Sequence, residues 1–237
     1  MKLFIIGASG RVGTIVTPFL KQQHTLRVYD MKPPADSTLD YWAGDVNDYE
    51  NLKAAMAGMD ALLYMAMNVM YVDELTEAHS SFDVNVKGVY FALKAAHAVG
   101  IPHAVYCSSM SVYDGTLETR YFFDEAMTPD ARGLYGFTKR LGEEVCYNAW
   151  ANYGLSVNAL RLCFPVPREK YLEGARLDKP SLPTDAEDVA RLMAAALDYR
   201  NGFQAFQASG DYENKILNMG KAKRLLGWEP LARPQEG

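Results

Sequence analysis

The chain opens MKLFIIGASGRVG, and no other stretch narrows the possible folds as sharply. A short apolar run, Leu3–Ile6, ends directly in Gly7. Glycines recur at Gly10 and Gly13, where a segment of helical periodicity begins. Glycines at a strand-to-helix turn serve three physical ends. Gly7 permits the tight turn, Gly10 lets the backbone approach a bound pyrophosphate, and Gly13 lets the helix pack close to the sheet. The amides at the helix start then face the anion. The spacing is GxxGxxG where the fingerprint is GxGxxG, so the agreement is one of mechanism. The same opening invites a signal-peptide reading. That reading is rejected, because the apolar run is short and breaks into a Gly-rich segment carrying Arg11.

Further along, short apolar runs alternate with helix-period segments. The strands expected are Leu3–Ile6, Leu26–Tyr29, Ala61–Met65, His103–Cys107, Ser156–Leu162 and Phe203–Gln207, with a brief one at Asp40–Ala43. Their continuous apolar character suits burial on both faces. The helices expected between them are Arg11–Gln22, Asp48–Ala57, Phe82–Val99, Phe137–Tyr153 and Asp185–Asp198. Strand and helix in strict alternation predict an α/β fold with a parallel sheet and right-handed crossovers. Phe164–Thr184, with four prolines, breaks the rhythm and reads as a loop or small cap. At the C-terminal end of a last helical segment, Asn218–Trp228, Gly227 and Trp228 fit a left-handed helix stop with its apolar contact. The division expected is a dinucleotide-binding domain over 1–163 and a small substrate-binding part over 164–237, whose strand near 203–207 returns to the main sheet.

Composition excludes several classes. A net charge of −5 argues against a nucleic-acid surface, and no apolar run reaches the length of a membrane span. Cys107, Cys146 and Cys163 are scattered and odd in number, which points to a reduced, cytoplasmic setting. No histidine or cysteine spacing suggests a metal site, so none is expected.

Asp30 ends the second strand, roughly 20 residues beyond the loop, where an acid holds the adenosine ribose and repels a 2′-phosphate. This favours NAD. Arg11 and Lys32 pull towards NADP, which stays possible, and a plain turn residue before Lys32-Pro33-Pro34 is the bland alternative for Asp30.

A tyrosine four residues before a lysine occurs three times: Tyr49/Lys53, Tyr90/Lys94 and Tyr135/Lys139. Chance alone gives about 0.8 such pairs at this composition, so spacing decides nothing. Context does. Only Tyr135/Lys139 follows a strand that ends in Ser108 and Ser109, at the carboxyl edge where open parallel sheets bind ligands. A free phenol titrates near 10. A lysine ammonium one helical turn away favours the phenolate, which tunes Tyr135 towards general-base work at neutral pH.

The ordered set of motifs resembles the extended short-chain dehydrogenase/reductases, the NAD-dependent epimerase/dehydratase group. FIIGASGRVG is similar to the cofactor loop, AGDVND (43–48) to the adenine-contacting segment, and LLYMAM (62–67) to the strand end flanking the nicotinamide ribose. NVKG (85–88), VYCSSMSVYD (105–114), YGFTK (135–139) and LGWEP (227–231) resemble the remaining family motifs in order. The resemblance implies a Rossmann-type doubly wound parallel sheet and an NAD(P)-dependent oxidoreductase acting on a sugar, sugar acid or related small molecule. It implies a catalytic set of Ser109, Tyr135 and Lys139. It implies cofactor contacts from Gly7, Ser9, Gly10, Arg11, Val12, Gly13, Asp30, Asp45, Val46, Met65, Ala66, Met67, Asn85, Tyr135, Lys139 and Cys163. Within the family motif the active serine lies four positions before Tyr113, which selects Ser109 over Ser108 and Ser111. Asn85 either supports Lys139 through water or simply packs.

There are departures. Asp114 stands where the family often has glycine, and Thr138 replaces the usual serine. Met110 and Ser111 occupy the positions of the dehydratases' Asp–Glu pair, and the short cap leaves little room to grip a nucleotide, so dehydrogenation ranks above epimerisation or dehydration. The short substrate part makes the chain similar in size and layout to the uronate dehydrogenases. Substrate candidates are Asn68, Ser109, Ser111, Tyr113 and Arg168. Met67, Met70 and Tyr71 are alternatives that more often fill cores, and Arg161, Lys170 and Arg176 are alternatives that more often sit in solvent or in structural ion pairs. The helices near 82–99 and 137–153 carry many apolar residues, and NVKGVYFALKAA in the first is apolar nearly all round, which fits either a homodimer interface of the kind the family uses or burial within one chain. A rival of another class is a non-catalytic dinucleotide sensor on the same fold.

Overall fold

The computed structural model describes residues 1–68, 75–116, 120–174 and 182–234. In chain order its elements are β1 (Lys2–Ile6), α1 (Arg11–Leu20), β2 (Thr25–Asp30), β3 (Asp40–Ala43), α2 (Tyr49–Met56), β4 (Ala61–Tyr64), α3 (Leu75–Phe82), α4 (Gly88–Ala98), β5 (His103–Ser109), α5 (Leu134–Tyr153), β6 (Ser156–Leu162), β7 (Pro165–Val166), α6 (Arg168–Gly174), β8 (Thr184–Asp185), α7 (Ala186–Asp198), β9 (Phe203–Ala208) and α8 (Gly220–Leu226). A single π-helical turn, Asp83–Lys87, joins α3 to α4, and a 3-10 turn, Met110–Val112, follows β5.

Seven strands form one sheet in the order β3-β2-β1-β4-β5-β6-β9, every pairing parallel. This is the Rossmann-type α/β fold. Alternation along each strand sends side chains to opposite faces. Leu3 and Ile5 of β1 therefore join one core, with Val16 of α1 and Val189 of α7. Phe4 and Ile6 join the other, with Leu52 of α2, Ala92 of α4 and Cys146 of α5. Chain order reverses between β1 and β4, and such a switch point opens a crevice at the carboxyl ends of the strands.

Three expectations need amending. The helix anticipated over 82–99 is α3, the π turn and α4. The wider turn puts Asn85 fully inside, and Gly88 packs where a Cβ would lie 2.7 Å from Val46 Cγ2. Helix α5 begins at Leu134 rather than 137, so Tyr135 occupies its first turn. The proline-rich stretch is more than loop: it holds α6 and a two-stranded pairing of β7 with β8. The closing stop has the geometry its residues suggest. Gly227 is left-handed (φ 64), and the Trp228 indole is buried and donates to the Asp188 carbonyl at 2.9 Å.

Candidate active site

The loop after β1 is glycine-dependent at two points. Gly7 has φ +88, and a Cβ there would sit 2.4 Å from Ala66 N; a Cβ on Gly13 would sit 2.4 Å from Gly7 O. At Gly10 the nearest atom to an added Cβ is 3.3 Å away. That neighbour is the Gly7 carbonyl oxygen, a tight contact that favours glycine where the backbone must come close to an anion. Asp30, at the end of β2, accepts from Ser9 N at 3.0 Å and from Lys32 N at 3.2 Å. Ser9 Oγ donates to Lys32 O at 2.8 Å, so the loop and the β2 exit are tied together. Asp45 is exposed and Val46 buried, and the Asp45 carbonyl accepts from Tyr29 Oη at 2.8 Å.

Beyond the carboxyl ends of β1, β4, β5 and β6 lies a cavity of about 710 Å³. It brings together Arg11, Val12, Met65, Met67, Ser109, Ser111, Tyr113, Tyr135, Lys139 and Cys163. The other expected cofactor residues, Gly7, Ser9, Gly10, Gly13, Asp30, Asp45, Val46, Ala66 and Asn85, are not among its lining.

Strand alternation separates the two serines. Ser108 also touches the cavity, but its Oγ is committed to Glu143, donating to Oε1 at 2.5 Å. Ser109 faces the cavity, and its Oγ accepts from Ser111 N at 3.1 Å. Lys139 is buried. Its Nζ donates to the Cys107 carbonyl at 2.8 Å and lies 4.9 Å from the Tyr106 ring centroid and 6.0 Å from that of Tyr135. Burial pushes its pKa down to about 8. Asn85 Nδ2 donates to Thr138 Oγ1 at 3.0 Å, and Thr138 Oγ1 donates to the Tyr135 carbonyl at 3.0 Å. The threonine that departs from the family pattern thus links the π turn to the helix start beside Tyr135. Asn85 Oδ1 also accepts from Asn68 N at 3.3 Å, and Asn68 is not in the lining.

Other candidates are engaged elsewhere. Arg161 is buried and paired with Glu143 through Nη2 at 2.7 Å, and its Nη1 donates to Tyr113 Oη. Tyr113 therefore offers the cavity its ring while its hydroxyl serves the interior. Arg168 is half-exposed, lies 3.5 Å from Asp185 and does not line the cavity. Lys170 is exposed. Met70, Tyr71 and Arg176 lie outside the described residues. Sequence reasoning missed Glu143, although an acid one turn beyond Lys139 was a usable sign. It placed Phe164, Pro165 and Leu182 within the substrate-binding part but did not single them out as cavity lining.

A glycine turn at a sheet switch point, with serine, tyrosine and lysine gathered into one cavity, defines a dinucleotide-binding α/β protein. The NAD dependent epimerase/dehydratase family model matches residues 3–171; the chain belongs to that family. Among curated relatives, a 3-beta-hydroxysteroid dehydrogenase of Mycolicibacterium neoaurum is 33% identical over 122 residues, covering 48% of this chain and 33% of that protein. The alignment thus spans about a third of that relative. An NAD-dependent glucose-6-phosphate dehydrogenase of Haloferax volcanii is 22% identical, with 96% of this chain and 92% of that protein aligned. The crystal structure of uronate dehydrogenase from Agrobacterium tumefaciens superposes with a TM-score of 0.81 at 20% identity, covering 99% of this chain and 84% of that one.

Proposed function

We propose that the chain is an NAD-dependent oxidoreductase that oxidises a hydroxyl, or reduces the matching carbonyl, of a sugar, sugar acid or related small molecule. The observation that carries this reading is the convergence of Ser109, Tyr135 and Lys139 on one cavity beside the glycine loop. The residues present fit a dinucleotide: the β1–α1 turn is glycine-dependent at Gly7 and Gly13, and the Asp30 carboxylate stands at the β2 exit, where it takes the ribose of NAD and repels a 2′-phosphate. NAD, when bound, supplies the hydride acceptor.

Tyr135 removes the proton of the substrate hydroxyl. Lys139, cationic at neutral pH, favours the phenolate across one helical turn and holds the nicotinamide ribose. The Ser109 Oγ already accepts from Ser111 N, which leaves its own proton to donate to the reacting oxygen and steady the charge there. Asn85 acts through Thr138 on the Tyr135 backbone. Residues 164–237 contribute the substrate side of the cavity through Phe164, Pro165 and Leu182, in keeping with a division at 163/164. Simple dehydrogenation is preferred to dehydration, since Met110 and Ser111 stand where dehydratases place acids, and to nucleotide-sugar epimerisation, since the short substrate part leaves little room to grip a nucleotide.

The protein works as a homodimer. Tyr90, Phe137, Tyr147 and Trp150 of α4 and α5 are each 36–48% exposed, aromatic surface available for a second copy to cover. All three cysteines are buried and unpaired, which supports a reduced, cytoplasmic setting. Among the described residues no helix is long and apolar enough to cross a membrane.

The test is a screen of NADH formation over uronates, aldoses, sugar phosphates and hydroxy acids. At least one class is expected to be oxidised with NAD. Stoichiometric NAD binding with no turnover of any class favours the sensor reading.

A further inference from the structure

Lys139 is a buried cation that no described carboxylate pairs with. Its Nζ donates to the Cys107 carbonyl at 2.8 Å. Glu143, one turn further along α5, is taken by Arg161 and Ser108 instead. The other titratable groups that face Nζ are Tyr106 and Cys107 of β5, and Tyr135 and Cys146 of α5. Burial pushes both thiols up, so neither carries charge at neutral pH. What is left to meet the ammonium is aromatic. The Tyr106 ring is the nearer face, with its centroid 4.9 Å from Nζ against 6.0 Å for Tyr135. An aromatic face is negative, and it attracts an ammonium more strongly where water is excluded.

The fold holds this ring closely. Tyr106 is buried between the sheet and α5, in the same core as Cys146 and Ala149. Lys139 and Gly142 are three residues apart, on one face of the helix, and both meet Tyr106. A Cβ at Gly142 would lie 2.3 Å from Tyr106 Oη, so the helix gives up a side chain there, although glycine weakens a helix interior. The Tyr106 hydroxyl itself has no hydrogen-bond partner among the described residues. Packing alone fixes the ring, and a phenylalanine would serve as well.

We infer that Tyr106 is a positioning residue for the proton transfer: the face of its ring seats the Lys139 ammonium in place of the missing carboxylate and keeps that charge beside Tyr135. Tyr106 does not line the cavity and acts only through Lys139. Its part in turnover rests on the oxidoreductase reading above; the seat itself does not.

The seat is tested by urea unfolding from pH 6 to 11. The chains compared are wild type, Tyr106→Phe, Tyr106→Leu, and a chain with pentafluorophenylalanine in place of Tyr106, which keeps the shape and reverses the charge of the ring face. Without a negative face the folded protein releases the Lys139 proton at lower pH. The folded value already lies below the unfolded one, so the rise of stability with pH then begins earlier. In the wild type the rise is expected to begin near pH 8. In Tyr106→Leu and in the pentafluoro chain it begins about 0.5–1.5 pH units lower. Tyr106→Phe keeps the wild-type onset. In a Lys139→Met background Tyr106→Leu moves no onset, which separates the seat from a general loss of packing. With the substrate that the screen yields, Tyr106→Leu at pH 8 lowers kcat about two- to ten-fold with KM little changed, and Tyr106→Phe retains wild-type kcat. An unmoved onset in the pentafluoro chain, or in Tyr106→Leu, overturns the inference. A moved onset with wild-type kcat in Tyr106→Leu overturns the part in turnover. If the wild type oxidises nothing in the screen, the oxidoreductase reading fails and takes that part with it, while the onset still decides the seat.

Discussion

Lys139 is a cation held out of water at a site where the fold would be easier without it. Its shift from 10.5 to about 8 corresponds to roughly 3 kcal/mol between its two protonation states. Because the folded value lies below the unfolded one, the folded protein binds fewer protons between pH 8 and 10.5, and stability rises with pH across that window. Below about pH 8 the cost is present in full. Lys139→Met is therefore expected to unfold at equal or higher denaturant at pH 7, by about 1–3 kcal/mol, to lack the rise above pH 8, and to lose roughly 100-fold or more in turnover. A destabilised variant, or one with the wild-type pH slope, contradicts this account of the lysine. Asp30 has a separate test. In titrations of the wild type NAD should bind more tightly than NADP, and Asp30→Ala should weaken NAD about ten-fold and narrow the gap, through the ribose contact and the lost Ser9 N–H partner. Tighter NADP binding by the wild type would reverse the cofactor assignment. At this scale the sequence displayed residue types but not their facing. Ser109 and Tyr135 were readable from position in a strand and a helix turn. The acid one turn beyond Lys139 marked Glu143, but only the register of α5 against β6 shows that it meets Arg161. Phe164 was not readable as lining, because its backbone conformation (φ +41) opposes its own propensity.

The elements around the site are joined by charge as well as by apolar packing. Glu143 of α5 takes Arg161 of β6 and Ser108 of β5 on one carboxylate, fixing the helix that carries Tyr135 against the two strands beneath it. Breaking such a buried pair from one side leaves an uncompensated charge. Glu143→Leu is expected to lose about 3–5 kcal/mol in urea unfolding, and Glu143→Leu with Arg161→Leu to recover much of it. If the double variant is no more stable than the single one, the pair is not the brace described here. The central strands β1, β4, β5 and β6 were legible because they are buried on both faces. The break between α3 and α4 was not, since one π turn of five residues leaves a helical period on either side intact. The helix and strand pairing within the proline-rich segment were hidden for another reason. Three of its prolines begin or precede elements instead of ending them: Pro165 starts β7, Pro167 lies just before α6 and Pro183 just before β8.

For the whole molecule, the sequence order of strands and helices, with one glycine loop, was sufficient to place the ligand crevice, because a parallel sheet has few topologies. What it could not give is what faces outward. The aromatic surface of α4 and α5 predicts a dimer: wild type should sediment as a dimer, and Trp150→Glu as a folded monomer with an unchanged circular dichroism spectrum. A monomeric wild type would leave that surface without its proposed role. The division between catalyst and sensor also belongs to this scale, because both would share the fold and the glycine loop. They differ in whether the Tyr135 hydroxyl has work to do. The most direct measurement is NAD affinity and turnover of Tyr135→Phe beside the wild type, on the substrate that the screen yields. The account predicts an NAD dissociation constant within about two-fold of wild type and turnover lower by roughly 100- to 10,000-fold. Turnover within a few-fold of wild type would contradict it.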